Sequence, residues 1–251
     1  MRLSPSPWIA LLVAALPTAS SAWIYPEHRN IAVAGVQKLE PQDREALQAL
    51  WTEAQKGFSG RLCPSLSDGV QGLKPACIDF AAIPAMAGDH SCSPKEVAER
   101  TLRSKWILDV ARVAEETQAN LDKSKDRDQT LNAIATSNLE LQAADPEYVS
   151  RAGANNAHFL LPRVDNDAAS YARKAVGEGT PLNALGMYVQ YHMAALELAH
   201  RYVTEPIPPE ERPAAAMRIL ATEGYALHWA EDAFASGHVV GTWGSDAWRK
   251  G

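Results

Sequence analysis

Cysteine is scarce: Cys63, Cys77 and Cys92 are the three in a chain of 251 residues. No two of them form a Cys-x-x-Cys pair, which argues against a thiolate zinc site of the finger or ribbon type. What remains is a structural bridge, Cys63–Cys77 or Cys77–Cys92, with one thiol left over. Positive charge is also short. Lys and Arg number 24 against 30 Asp and Glu, a net charge of −6. That balance argues against a basic face for nucleic-acid backbones. It leaves open an enzyme that meets phosphate through bound metal ions. The sequence has no glycine-rich phosphate loop, no internal repeat and no strand-rich block. Apolar runs are short too. The stretch from Trp8 to Leu16 is about half of the ~20 residues a membrane-spanning helix needs. No later stretch is long and apolar enough to span, so the mature chain is expected to lack a transmembrane segment.

The apolar run at the N-terminus has a different reading. Arg2 precedes it, Pro17 breaks it and Ala19-Ser20-Ser21-Ala22 follows. A positive charge, a short apolar core and small residues three and one before a cut make a secretory signal. Residues 1–22 are therefore expected to be removed, giving a secreted or periplasmic protein that begins at Trp23. Residues 23–251 suffice for one domain with its own core.

That remainder reads as helices. Pro26 to Leu39 carries a loose helical pattern. Pro41 to Phe58 repeats it with Leu47, Leu50, Trp51 and Ala54 at three- and four-residue spacing. Ser59 to Cys92 holds Gly, Pro, Ser and all the cysteines, and reads as an ordered loop region. Ser93-Pro94-Lys95-Glu96 makes a helix start, with Ser93 as cap and Glu96 as its capping-box partner. Leu102, Trp106, Val110 and Val113 continue that helix on one face. The charge run Asp122 to Asp128 is a turn before a second helix, Gln129 to Ala144, and the two form a hairpin. Asp145-Pro146 marks a boundary. Thr180-Pro181 starts a long helix to about Val203, and Glu210 to Phe234 is helical again, with Gly237 as its terminator. The expected fold is all-α, a single-domain bundle of several helices.

The chemistry-bearing residues gather at both ends of the chain. A free α-amino group at Trp23 and its own carbonyl oxygen can chelate a metal ion, with His28 close enough to join. His228 and Asp232 are four apart and project from one side of the last helix. Imidazole and carboxylate suit zinc in a site that keeps a position open. His238 lies past the helix end and can turn back. Asp89 and His158 are further candidates from loops. His192 and His200 fit core or surface roles better than ligation. Glu27 and Arg29 are placed to orient the terminus, His90 to support Asp89 from behind, and Trp229 and Trp243 to pack or to line a cleft.

This set resembles the zinc-dependent phospholipase C and S1/P1 nuclease superfamily, whose members are exported, all-helical, three-zinc phosphodiesterases with Trp first in the mature chain. Trp23 and His28 reproduce the Trp-x4-His start of the nuclease branch. His228, Asp232 and His238 reproduce the His-x3-Asp-x5-His run of both branches. His158-Phe159 resembles the His-Phe pair that supplies a ligand, and Asp89 matches an upstream aspartate. The resemblance implies up to three zinc ions. Asp89, His158 and His228 would hold one, and the Trp23 nitrogen and oxygen with His28 another. Asp232 would bridge these two, and His238 would contribute to the third. Asp89 would also serve as the catalytic base.

Two features depart from the family pattern. The third zinc there takes a further His and an acidic residue, whereas positions 239–251 contain no His. Part of that site is thus expected beyond residue 251. Asp89 and His158 are also separated by the Ser93–Ala144 hairpin, which would be an insertion, and Asp145 competes with Asp89. The expected function is a zinc-dependent phospholipase C acting on phospholipid at a membrane or micelle surface, releasing diacylglycerol and a phosphorylated headgroup. An S1/P1-type nuclease acting on single-stranded nucleic acid is the alternative, and a non-catalytic helical binding protein with an incomplete metal site is the third reading.

Overall fold

The computed structural model describes residues 24–58, 60–67, 77–148, 150–151, 156–162, 167–235 and 238. Residues 1–22, Trp23, Gly237 and Trp243 lie outside them, and so do the expectations placed there. Among the described residues the chain is helical, with no strand; a single isolated bridge pairs Leu62 with Ile78. This agrees with the all-α expectation. In chain order the helices are α1 (Tyr25–Lys38), α2 (Pro41–Gln55), α3 (Ala82–Met86), α4 (Pro94–Glu99), α5 (Trp106–Lys123), α6 (Arg127–Ala144), α7 (Ala168–Ala175), α8 (Ala184–Thr204) and α9 (Arg212–Asp232).

Local chemistry sets most of these boundaries. Ser93 caps α4 by accepting from the Glu96 amide at 3.1 Å. Glu96 reaches back, but to the amide of Cys92 at 2.7 Å rather than to that of Ser93. Asp126 caps α6 through the Gln129 amide at 2.8 Å. Asn183 accepts from Gly186 at 2.9 Å and delays the start of α8 to Ala184, three residues past Pro181. An alanine at an N-cap costs typically about 1 kcal/mol. Ser93→Ala is thus expected to lower stability by about that amount in denaturant unfolding, with no change in metal content.

The structure corrects three expectations. The helix from Ser93 does not run through to Val113: a 3₁₀ turn, Thr101–Arg103, and an extended Ser104 separate α4 from α5. The carbonyls of Leu102 and Ser104 accept instead from the Arg61 guanidinium, at 3.3 and 2.5 Å. A distant side chain thereby satisfies groups that a continuing helix would have paired. The second correction is α3, which forms inside the expected loop region where Asp79 Oδ1 accepts from the Ala82 amide at 2.9 Å. The third is α7, which the pattern reading passed over. Asp167 caps it through the amides of Ala169 and Ser170, at 3.0 and 3.2 Å.

α9 is the central element. It packs against α8, α2, α4, α3 and α1, and buries Met217, Leu220, Tyr225 and Trp229. A helix that is buried on most sides sits inside the bundle, not on its surface. Gly224 lets α3 come close, since a Cβ there would overlap Cγ2 of Ile83. The α5–α6 hairpin packs mainly on itself and touches α1 through α5. Of the two pairings left open, the disulfide is Cys63–Cys77, with Cα atoms 4.9 Å apart. Cys92 is an exposed free thiol.

Candidate metal centre

The last turns of α9 carry His228, Glu231 and Asp232 on one side. Asp232 is 1% exposed and sits among four imidazoles. Its two oxygens divide them. Oδ2 lies within hydrogen-bonding distance of His158 Nδ1 and 3.2 Å from His228 Nε2. Oδ1 lies 3.6 Å from His28 Nε2 and 3.2 Å from His238 Nδ1, the latter without the alignment of a hydrogen bond. Five of the candidates, drawn from α1, the 158 loop, α9 and the residues after it, therefore meet at one carboxylate.

Asp89 joins them. One ligand atom each from Asp89, His158 and His228 lie within 4.8 Å of one another, and so do those of His28, His228 and Asp232. Both groups could hold a metal ion. The competitor, Asp145, is elsewhere. Its carboxylate accepts from His90 Nδ1 at 2.8 Å, Arg151 at 2.7 Å and the Glu147 amide at 3.2 Å. Burial alone would raise the Asp145 carboxyl, but these donors outweigh it and hold it below the usual range. Such a carboxylate is already occupied.

Neighbouring groups fix which ring nitrogen faces the centre. His228 Nδ1 lies 3.0 Å from the Pro84 carbonyl, which can only accept, so Nδ1 carries the proton. Without a second proton Nε2 is a lone pair, and it faces Asp232 Oδ2 at 3.2 Å and His158 Nδ1 at 3.3 Å. A lone pair set against a carboxylate oxygen calls for a cation between them, either a proton or a metal ion. His158 Nε2 is buried without a hydrogen-bond partner among the described residues. Gly88 closes the other side of the His228 ring. Its φ is +70°, and a Cβ on it would overlap His228 Nε2.

His28 is set by a residue that sequence reasoning did not single out. Its Nδ1 lies 2.6 Å from Glu231 Oε2, both groups being buried. This bond turns Nε2 toward Asp232. Burial, helped by the nearby Asp232 charge and opposed by His228, pushes the Glu231 carboxyl up to about 9. Burial also lowers the His28 imidazole, so its ring is neutral near pH 7 and suited to ligation. For Asp232 burial acts upward, but the His228 charge and the contacts from His158, His228 and His238 prevail and hold it well below the usual range. The sequence signal for Glu231 was weak. It adjoins Asp232, but its partner His28 is 203 positions away.

The remaining candidates fall outside the cluster. His192 pairs with Glu223 at 2.9 Å on a half-buried surface, and His200 is exposed. Glu27 accepts from the Ile24 amide at 2.9 Å, while Arg29 pairs with Asp79. Trp229 is fully buried and packs against His158 and His228. On the side of α9 turned away from Asp232, Ala230, Ala233 and Phe234 line an apolar cleft of about 430 Å³ with Leu160, Tyr171 and Tyr188. Phe234 is 79% exposed.

Fold and site together define an all-helical chain with a buried histidine–aspartate cluster able to hold metal ions. Searches of protein-family models, curated proteins and solved structures returned no match to this chain. No helix among the described residues is long and apolar enough to cross a membrane.

Proposed function

We propose that the chain is a zinc-dependent phosphodiester hydrolase of the phospholipase C type. The observation that carries this reading is the meeting of His28, His158, His228 and His238 at the two oxygens of Asp232, with Asp89 alongside. Zinc fits the donor set. Two ligands bound to a tetrahedral zinc at 2.0–2.1 Å lie roughly 3.3 Å apart, close to the 3.2 and 3.3 Å that separate His228 Nε2 from Asp232 and His158. Imidazole and carboxylate without thiolate, together with unpartnered buried ring nitrogens, point the same way.

His158, His228 and Asp89 would hold one ion, and His28 with the Trp23 terminus a second. Asp232 would give one oxygen to each, and His238 would hold a third ion with groups outside the described residues. Bound zinc would ease the deprotonation of water and neutralise charge on the phosphoryl group. Asp89 is half-exposed, so its second oxygen is free to take the proton of the attacking water. Glu231 keeps His28 in its orientation, and the Pro84 carbonyl does the same for His228. The net charge of −6 favours a lipid over a long polyanion.

The test measures release of phosphorylated headgroup from phosphatidylcholine micelles and of acid-soluble nucleotides from single-stranded DNA, side by side. Both are run on zinc-loaded protein, with a chelator control and across salt concentrations. Headgroup release that is lost with chelator is expected. Faster nucleotide release at every salt concentration would replace the lipid reading by the nuclease one, which the Trp-x4-His start favours. No cleavage of either would leave a binding protein.

A further inference from the structure

Asp89 is the one member of the cluster whose carboxylate receives no hydrogen bond or ion pair from a described residue. Its position must therefore be set by its backbone. That backbone is a tight turn. The Asp89 amide donates to the Ala87 carbonyl at 2.7 Å, and the His90 amide to that of Met86 at 3.1 Å. On one side Gly88 abuts the His228 ring. On the other side stands His90.

His90 is 1% exposed and held from several directions. Its Nδ1 bonds Asp145 Oδ2 at 2.8 Å, and its ring stacks on Tyr148 with centroids 4.9 Å apart. Trp106 and Tyr25 complete the ring's surroundings at 6.0 and 6.3 Å. Asp145 is itself fixed by Arg151 at 2.7 Å, and Arg151 by Glu147 at 2.5 Å. A chain of charge-assisted bonds thus runs from the 147–151 segment to the residue beside Asp89. The three donors on Asp145 leave it no role as a ligand, but make it a firm anchor.

We infer that His90, strapped by Asp145 and Arg151, is a positioning residue that holds Asp89 at the metal position it shares with His158 and His228. The inference rests on the metal-binding reading above. Groups that orient a ligand without touching the ion typically change affinity roughly 10–100-fold when removed. Asp89 lacks a bond of its own, so the strap acts in place of one. It acts on one ion only, because the group formed by His28, His228 and Asp232 does not include Asp89.

The experiment uses the full chain and zinc itself. Affinity is measured by competition with a chromophoric chelator, and cobalt substitution gives a visible spectrum for each ion. His90→Phe keeps the stacked ring and loses the bond to Asp145. It is expected to weaken one ion by roughly 10–100-fold and to spare the other. His90→Asn places an amide donor near the position of Nδ1 and is expected to recover most of that affinity. Arg151→Met loosens the far end of the strap and should weaken the same ion by less, which gives a readout should His90→Phe fold poorly.

Equal zinc affinity in His90→Phe and the parent overturns the inference. So does an equal loss of both ions that follows a lower melting temperature of the chelator-treated protein, because that is a structural effect alone. If the parent binds no zinc, the metal-binding reading itself falls, and the inference falls with it.

Discussion

Asp232→Asn is expected to lower zinc content more than any other single substitution, His238→Ala included. The carboxylate faces His158 and His228 with one oxygen and His28 and His238 with the other. An asparagine must put its amide nitrogen at one of those two places. There its hydrogens point at ring nitrogens or at a metal ion, and the negative charge is lost from both sides. His238→Ala removes one neighbouring imidazole from one oxygen. The loss for Asp232→Asn should exceed the roughly 100-fold upper range seen when supporting groups are removed, and it should touch two ions, because ion binding and site order are coupled. Elemental analysis after dialysis at fixed free zinc checks it. Equal metal content in Asp232→Asn and the parent would show that no carboxylate bridge exists.

Gly88→Ala is expected to damage both stability and metal binding. The residue sits at φ +70°, where a side chain costs about 1–2 kcal/mol. The added methyl would also overlap His228 Nε2. That ring is fully buried and tied to Pro84, so it has little room to retreat. His228 would hold one ion and stacks on His28, which would hold the other, with ring centroids 4.6 Å apart, so its displacement should weaken both. Denaturant unfolding of chelator-treated protein, paired with a zinc titration, separates the two effects. A loss no larger than the backbone cost, with normal zinc uptake, would mean that the Gly88–His228 contact is not a constraint.

Much of the helical frame was legible because its signals are local. Ser93 caps as its position suggests, the charge run Asp122 to Asp128 holds the turn before α6, and the spacing of His228 and Asp232 puts both on one side of α9. What the sequence left illegible has a different cause. The break before α5 depends on Arg61, 41 positions from Leu102. The choice between Asp89 and Asp145 depends on which carboxylate is surrounded by donors, and His90 reaches Asp145 across 55 positions. Periodicity carries no information about partners so far apart. α7 has a plainer reason: Asp167 before Ala168-Ala169-Ser170 is an ordinary cap signal, but the helix has only eight residues and too few turns to set up an apolar period.

The same distances bear on the order of events as the chain folds. His28 meets Glu231 over 203 positions, His228 meets Pro84 over 144 and His158 meets Asp232 over 74. Closing such spans costs chain entropy before any contact compensates for it, and non-local contacts of this kind slow folding. No early fragment of the chain holds the cluster, since α9 is the last described helix and supplies its centre. A metal ion could therefore not template the early steps. If bound, it would join a bundle whose helices α1 and α9 already meet, and would act as a latch on the finished fold.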